Sequence, residues 1–143
     1  MPSATESAAP IDEIELPSMM ATLCSYESWL GPYHPQTLAL TVQIAIAYWR
    51  VGEPNRARPL LERTIRDLGR HLGPGHDLRM WAMSALREIL VAQRDYGRAG
   101  EVQGEILECR IQCLGREHPE TLAARADLAM ILLQQINADT KAV

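Results

Sequence analysis

The stretch LGPYHPQTL, residues 30–38, returns as LGPGHDLRM at 72–80 and as LGREHPETL at 114–122. Leu30, Leu72 and Leu114 stand 42 residues apart, and so do Gly31, Gly73 and Gly115, and His34, His76 and His118. Against the pattern L-G-x-x-H-P-x-T-L, the first and third copies agree at all six fixed positions. The middle copy keeps Leu72, Gly73 and His76 and departs at Asp77, Arg79 and Met80. A constant period of this length marks a repeat architecture.

The chemistry of the string describes a junction between two helices. Leu is expected as the last core residue of one helix, and Gly at the following C′ position, where φ > 0 is needed. His then serves as N-cap and Pro as N1, where its missing N–H costs nothing. Thr and Leu open the next helix. A second junction lies inside each period: RVGEPNRA at 50–57 contains Gly52 and Pro54, and RDYGRAGE at 94–101 contains Asp95 and Gly97. Ala57 and Ala99 share a register. Each repeat therefore reads as two antiparallel helices.

Apolar residues at helical spacing fill in the elements. A helix is expected over about 35–51 through Leu38, Ile44, Ala45 and Tyr48, and another over 54–71 through Ala57, Leu61, Ile65, Leu68 and Leu72. Further helices follow over 77–93 (Met80, Met83, Leu86, Leu90), 97–114 (Ala99, Ile106, Leu107, Leu114) and 119–136 (Leu122, Leu128, Ala129, Leu132). Moving the second set back by 42 gives Met19, Leu23, Tyr26 and Leu30, and predicts a helix from about Pro17. The fold class is all-α: an α-α superhelix of about six antiparallel helices in three helical-hairpin repeats. The repeat domain spans 15–136. Residues 1–14, rich in Ser, Ala, Thr, Pro and acids, read as a disordered tail, and 137–143 as a frayed one.

Composition is consistent with this. The chain is 47% hydrophobic and 22% charged, ordinary for a globular domain. Phe is absent, and Ala, Leu, Arg, Glu, Met and Gln favour helix. A formal net charge of -4 argues against a nucleic-acid partner. No apolar run approaches the ~18 residues of a membrane span, and the N-terminus lacks the basic start and apolar core of a secretory signal. Three cysteines, Cys24, Cys109 and Cys113, form no framework, so a reduced, cytoplasmic compartment is expected.

Catalytic chemistry finds little to hold. There is no phosphate-cradling Gly loop, nucleophile elbow or H-E-x-x-H, and no enzyme activity or cofactor is expected. His34, His76 and His118 fall one repeat apart, too far for one metal. Cys109 and Cys113, at i, i+4, do not complete a zinc site of four ligands. Arg56, Arg58, Arg63, Arg66 and Arg70, interleaved with Glu62 and Asp67, read as i, i+4 surface pairing.

The L-G-x-x-H-P-x-T-L string at a 42-residue period resembles the tetratricopeptide repeats of kinesin light chain and its bacterial relatives. That signature continues in the first repeat as Ala45, Tyr48, Gly52 and Ala57, and the resemblance covers about 16–136. It implies a protein-binding scaffold without chemistry of its own, and a concave face lined by the first helix of each pair. By that register the partner-binding face holds Val42, Gln43, Ile46, Trp49 and Arg50, then Trp81, Ser84, Glu88 and Val91, then Asp127, Met130 and Leu133. Family repeats often carry Asn five and six residues after the Thr; here those positions are Val42 and Gln43, Ser84 and Ala85, Ala126 and Asp127. Arg87 stands where Ala45 and Ala129 fall, and Gly104 is expected to make room for it.

The apolar members of that face, Ile46, Trp49, Trp81, Val91, Met130 and Leu133, are not needed for the packing stripes above. An apolar patch facing water marks an interaction surface, and Trp is enriched among interface hot spots. The expected function is a protein-protein interaction module that binds an apolar or amphipathic peptide of a client protein. The alternative is a structural or regulatory homo-oligomer, such as a homodimer, that uses the same face or its uncapped end helices.

Overall fold

All three copies of the opening string are built alike. In the computed structural model, which describes residues 8–141 and side chains from Glu15 onward, Gly31, Gly73 and Gly115 have φ of 92, 102 and 88°. A Cβ at any of them would meet nothing within 4 Å, so the demand for glycine is conformational rather than spatial. Three residues later comes the histidine, extended at His34 and His76, and in all three copies its Nδ1 accepts the backbone N–H two residues on. His34 takes that of Gln36, His76 that of Leu78 and His118 that of Glu120, each at 3.1 Å. One orphan donor of each helix start is thereby satisfied.

Six helices result among the described residues: α1 (Ala8–Trp29), α2 (Pro35–Arg50), α3 (Pro54–His71), α4 (Asp77–Ala92), α5 (Tyr96–Leu114) and α6 (Pro119–Lys141). The four inner helices match their expected bounds to within a residue. α1 starts at Ala8 rather than near Pro17, and Pro17 lies inside it; the sequence around it, rich in Ala, Ile and Glu, is good helix material. The rest of the expected N-terminal tail, 1–7, lies outside the described residues. α6 runs past Ile136 to Lys141, because no Gly or Pro stops it there, and the Thr140 hydroxyl donates back to the Ile136 carbonyl at 2.8 Å.

The inner junction corrects one reading. After α2, the N–H of Glu53 reaches the Tyr48 carbonyl at 2.9 Å and that of Gly52 reaches Trp49 at 3.1 Å, with Gly52 at φ 84°. This is a Schellman closure. After α4 the same two bonds recur, Asp95 to Leu90 at 2.9 Å and Arg94 to Val91 at 3.0 Å. The left-handed residue there is Arg94, at φ 61°, and Gly97, named with Asp95 as the junction's marker, lies inside the first turn of α5. Among the described residues the positive-φ positions are thus 31, 52, 73, 94 and 115, a uniform step of 21. Arg94 holds the backbone that its register demands, at a cost of about 1 kcal/mol relative to glycine.

The chain divides into two compact units, Met1–Gly73 and Pro74–Val143. In the first, α2 packs against both α1 and α3. Its core is Leu38, Ile44 and Ala45 from α2 with Ala57, Leu61, Ile65 and Leu68 from α3. Tyr48 is half-buried, its hydroxyl on the Met20 sulfur at 3.5 Å. In the second unit α5 packs against both α4 and α6. Met80, Met83, Leu86 and Leu90 meet Ala99, Val102 and Ile106, and α6 contributes Ala124 and Ile131.

Four expected core leucines are not core. Leu30 and Leu114 follow or end their helices and are exposed, and Leu122 and Leu132 of α6 are exposed too. α6 buries Thr121, Ala124 and Ile131 instead. Within its unit its main packing is on α5, so it buries only part of the face that α4 buries: Ala124 and Ile131 match buried Ala82 and Ile89, while Leu122 and Leu132, matching buried Met80 and Leu90, stay exposed.

The histidine caps give the first test. His118→Ala should destabilise the chain by about 1 kcal/mol, the usual effect of removing an N-cap acceptor. His118→Asn should recover most of that, since its side-chain oxygen can take the same N–H. Urea unfolding followed by circular dichroism measures both; equal stability of the Ala variant and the wild type would show that the bond contributes nothing.

Candidate functional site

The residues expected on the partner-binding face divide between the two units. On α2, Gln43 and Arg50 are exposed, while Ile46 and Trp49 are half-buried. Val42 is 0% exposed, so it serves packing and cannot touch a partner; its place on the face is withdrawn. On α4, Trp81 is 39% exposed, Glu88 is exposed, and Ser84 and Val91 are half-buried. On α6, Asp127, Met130 and Leu133 are all exposed. The steps along α4 (81, 84, 88, 91) and α6 (127, 130, 133) keep each set on one side of its helix.

In the second unit Arg87 joins these two sets. Its guanidinium lies 3.6 Å from an Asp127 carboxylate oxygen and 3.8 Å from one of Glu88. Both carboxylates are more than half exposed, so these pairs add little stability, but they put the stripes of α4 and α6 side by side. The stronger bond lies beneath. Arg87 Nη1 donates to Gln103 Oε1 at 2.9 Å, and Gln103 Nε2 donates to the Ala124 carbonyl at 2.9 Å. Gln103 is 0% exposed. Because a guanidinium can only donate, the Gln103 oxygen must face it and the amide nitrogen must face α6. One chain of hydrogen bonds therefore links α4, α5 and α6.

Neither member was identified from sequence as a polar anchor. Arg87 stood out only as a bulky departure, and Gly104 was expected to accommodate it. A Cβ on Gly104 would meet nothing within 4 Å, so Gly104 does not make that space. The signal was in the register. Arg87 corresponds to Ala45 and Gln103 to Leu61, and both of those are fully buried and apolar. Two packed positions changed to polar ones together.

Comparisons with known proteins agree with this architecture. The tetratricopeptide repeat family matches residues 37–77. No curated protein sequence matches the chain significantly. Two similar solved structures hold the nearly identical TPR-like repeats of a protein from Podosopora anserina described as a kinesin light chain, one of them a point variant. Each is 21% identical to this chain and covers 91% of it, with TM-scores of 0.70 and 0.71. This chain covers 66% of each of theirs, just under two thirds.

The buried polar chain can be tested directly. Gln103→Leu should cost about 2 kcal/mol in urea unfolding, because a half-buried guanidinium loses its neutral acceptor. Adding Arg87→Leu should recover part of that loss, with a coupling of about 1 kcal/mol or more. Strict additivity of the two substitutions would show that the pair is not coupled. Residues 37–77 match the tetratricopeptide repeat, and the chain has the same all-α, helical-hairpin fold as these TPR-like repeats.

Proposed function

We propose that the chain is a non-enzymatic protein-interaction module in which exposed stripes, one on α2 in the first unit and one on α4 and α6 in the second, take apolar or amphipathic segments of a client. The observation that carries this reading is in the second unit. Trp81, Met130 and Leu133 are 39, 60 and 57% exposed, on the same two helix faces that Arg87 ties together through Glu88 and Asp127. Large apolar side chains held on a rigid polar anchor are the ingredients of a binding hot spot. On α2 the matching contributors are Gln43, Ile46, Trp49 and Arg50. With no Asn at the register positions, polar contacts to a client fall to Ser84, Glu88 and Asp127. The two carboxylates accept hydrogen bonds, so they favour client N–H groups or cationic side chains at the edge of an apolar core.

Trp49→Ala combined with Trp81→Ala should weaken client capture by at least about tenfold. Quantitative pull-down with mass spectrometry reads this, and unchanged far-ultraviolet circular dichroism shows that the helices persist. Capture that survives both substitutions removes these stripes as the binding face.

A second reading, self-association, has its own support. Leu122, Leu132 and Ile136 of α6 are 44, 45 and 58% exposed, on sides turned away from Ala124 and Ile131. A copy of the chain could cover them, and such closure is commonly two-fold. Sedimentation velocity should then show a dimer that Leu132→Glu with Ile136→Glu converts to monomer; a wild-type monomer at the highest soluble concentration rules it out.

A further inference from the structure

The face of α2 turned away from Ile46 and Trp49 bears a second groove, within the first unit. It runs between α1 and α3, with Ile44 and Tyr48 of α2 as floor, Leu23 on one wall and Leu60 on the other. Its volume is about 730 Å³, inside the range of built ligand sites but too small for more than a few inserted side chains. Arg63 and Arg66 stand on the α3 wall, and no carboxylate among the described residues lines the groove. The i, i+4 pairing expected along α3 is not what these two arginines do. Both are exposed and neither has an acidic partner among the described residues. Arg56, nearer the helix start, is turned back onto Glu53 at 2.9 Å and over the Tyr48 ring.

The register shows that this charge is not required by the fold. The positions 42 residues after Arg63 and Arg66 are Glu105 and Glu108, and those 42 before are Ala21 and Cys24. The same places on the other helices of this kind are acidic or neutral. In a chain with more acids than bases, leaving two neighbouring arginines unpaired beside an apolar trough is a feature of this repeat alone. Residues three apart on a helix face the same way, so the pair presents one basic edge parallel to the trough.

We infer that this groove docks an acidic amphipathic helix of a partner protein. The partner lays its apolar i, i+3, i+4, i+7 edge over Met20, Leu23, Tyr48 and Leu60, with buried Ile44 beneath, in the helix-in-groove manner. Glu or Asp residues beside that edge meet Arg63 and Arg66. The surface is separate from the exposed stripes proposed for the client, and the two can be occupied independently.

The probe is a fluorescent, designed amphipathic helical peptide with a Leu stripe flanked by Glu, beside a twin with Lys in place of Glu. Fluorescence anisotropy should show binding of the Glu peptide that weakens as salt rises from about 0.1 M to about 0.5 M, and no comparable binding of the Lys twin. Arg63→Glu with Arg66→Glu should weaken it by about tenfold or more, and Arg63→Gln with Arg66→Gln by less. Both substituted side chains are exposed, so circular dichroism should be unchanged. Trp49→Ala with Trp81→Ala should leave this binding intact, which separates it from the client face. The inference fails if both peptides bind alike, if the Glu variant binds as wild type, or if the Glu peptide does not bind. It also fails if the arginine variants instead abolish a dimer, or abolish association with phosphatidylserine vesicles, while peptide binding is absent; the occupant is then a second copy or a membrane.

Discussion

A left-handed backbone residue every 21 positions is the constraint on which the rest of this structure depends. A helix end leaves carbonyls without partners, and a single residue with positive φ lets the next N–H groups turn back and satisfy them. Gly31, Gly52, Gly73 and Gly115 supply that conformation readily, and Arg94 supplies it under strain. The interval leaves room for about 16 to 19 helical residues plus a short turn, as in α2 to α5. Helices of such similar length can lie flush along a neighbour, and Ala45, Ala57 and Ala99 are fully buried between them. Histidine caps then fix where alternate helices begin. Turn geometry, helix length and packing register are in this sense one specification, written at a few positions per repeat.

The parts of the fold legible in the sequence are those governed by that local specification. The inner helices were legible because Gly, His and Pro act through the backbone within a few residues, whatever surrounds them. Arg94 was not, since an arginine at a glycine's place carries no local mark; only the register, or the Asp95 N–H closing on the Leu90 carbonyl, discloses it. The buried face of α6 was not legible either. Its stripe of Leu122, Leu128, Ala129 and Leu132 suits a helix packed on two sides, whereas the burial of Ala124 and Ile131 depends on packing against α5. For the candidate site, the exposure of Trp81, Met130 and Leu133 followed from the register, but that of Val42 did not. Val42 shows that a face inferred from spacing still needs the neighbouring helices to decide which of its members reach water.

A repeat protein offers its own internal control, and the informative positions are those where the copies disagree in chemistry. Ala45 and Leu61 in one unit correspond to Arg87 and Gln103 in the other. An apolar contact has been replaced by a hydrogen-bonded pair at the same place in the packing. A lone arginine there would be expensive, since an unpaired, partly buried charge costs more than any single hydrogen bond returns. The simultaneous change to Gln103 is what makes it tolerable, and it places a fixed positive group under Glu88 and Asp127. The polarity of that surface is thus anchored in the core, not laid on top of it.

The same comparison bears on Arg63 and Arg66, with a different outcome. At the homologous places on α5, Glu105 meets Arg79 across the α4–α5 contact at 3.5 Å, so the acidic version of the position serves packing inside its unit. The basic version has no such partner. Its charges stand beside an apolar trough that α1 and α3 leave open, floored by half-buried Tyr48 over buried Ile44. An apolar trough open to solvent is unfavourable on its own, and two unpaired cations beside it gain nothing internally. Each of these local features becomes favourable only when an apolar, negatively charged surface covers both at once. Their coincidence on one wall, against the opposite charge at the equivalent sites, is the reason to assign that surface to a partner rather than to the fold.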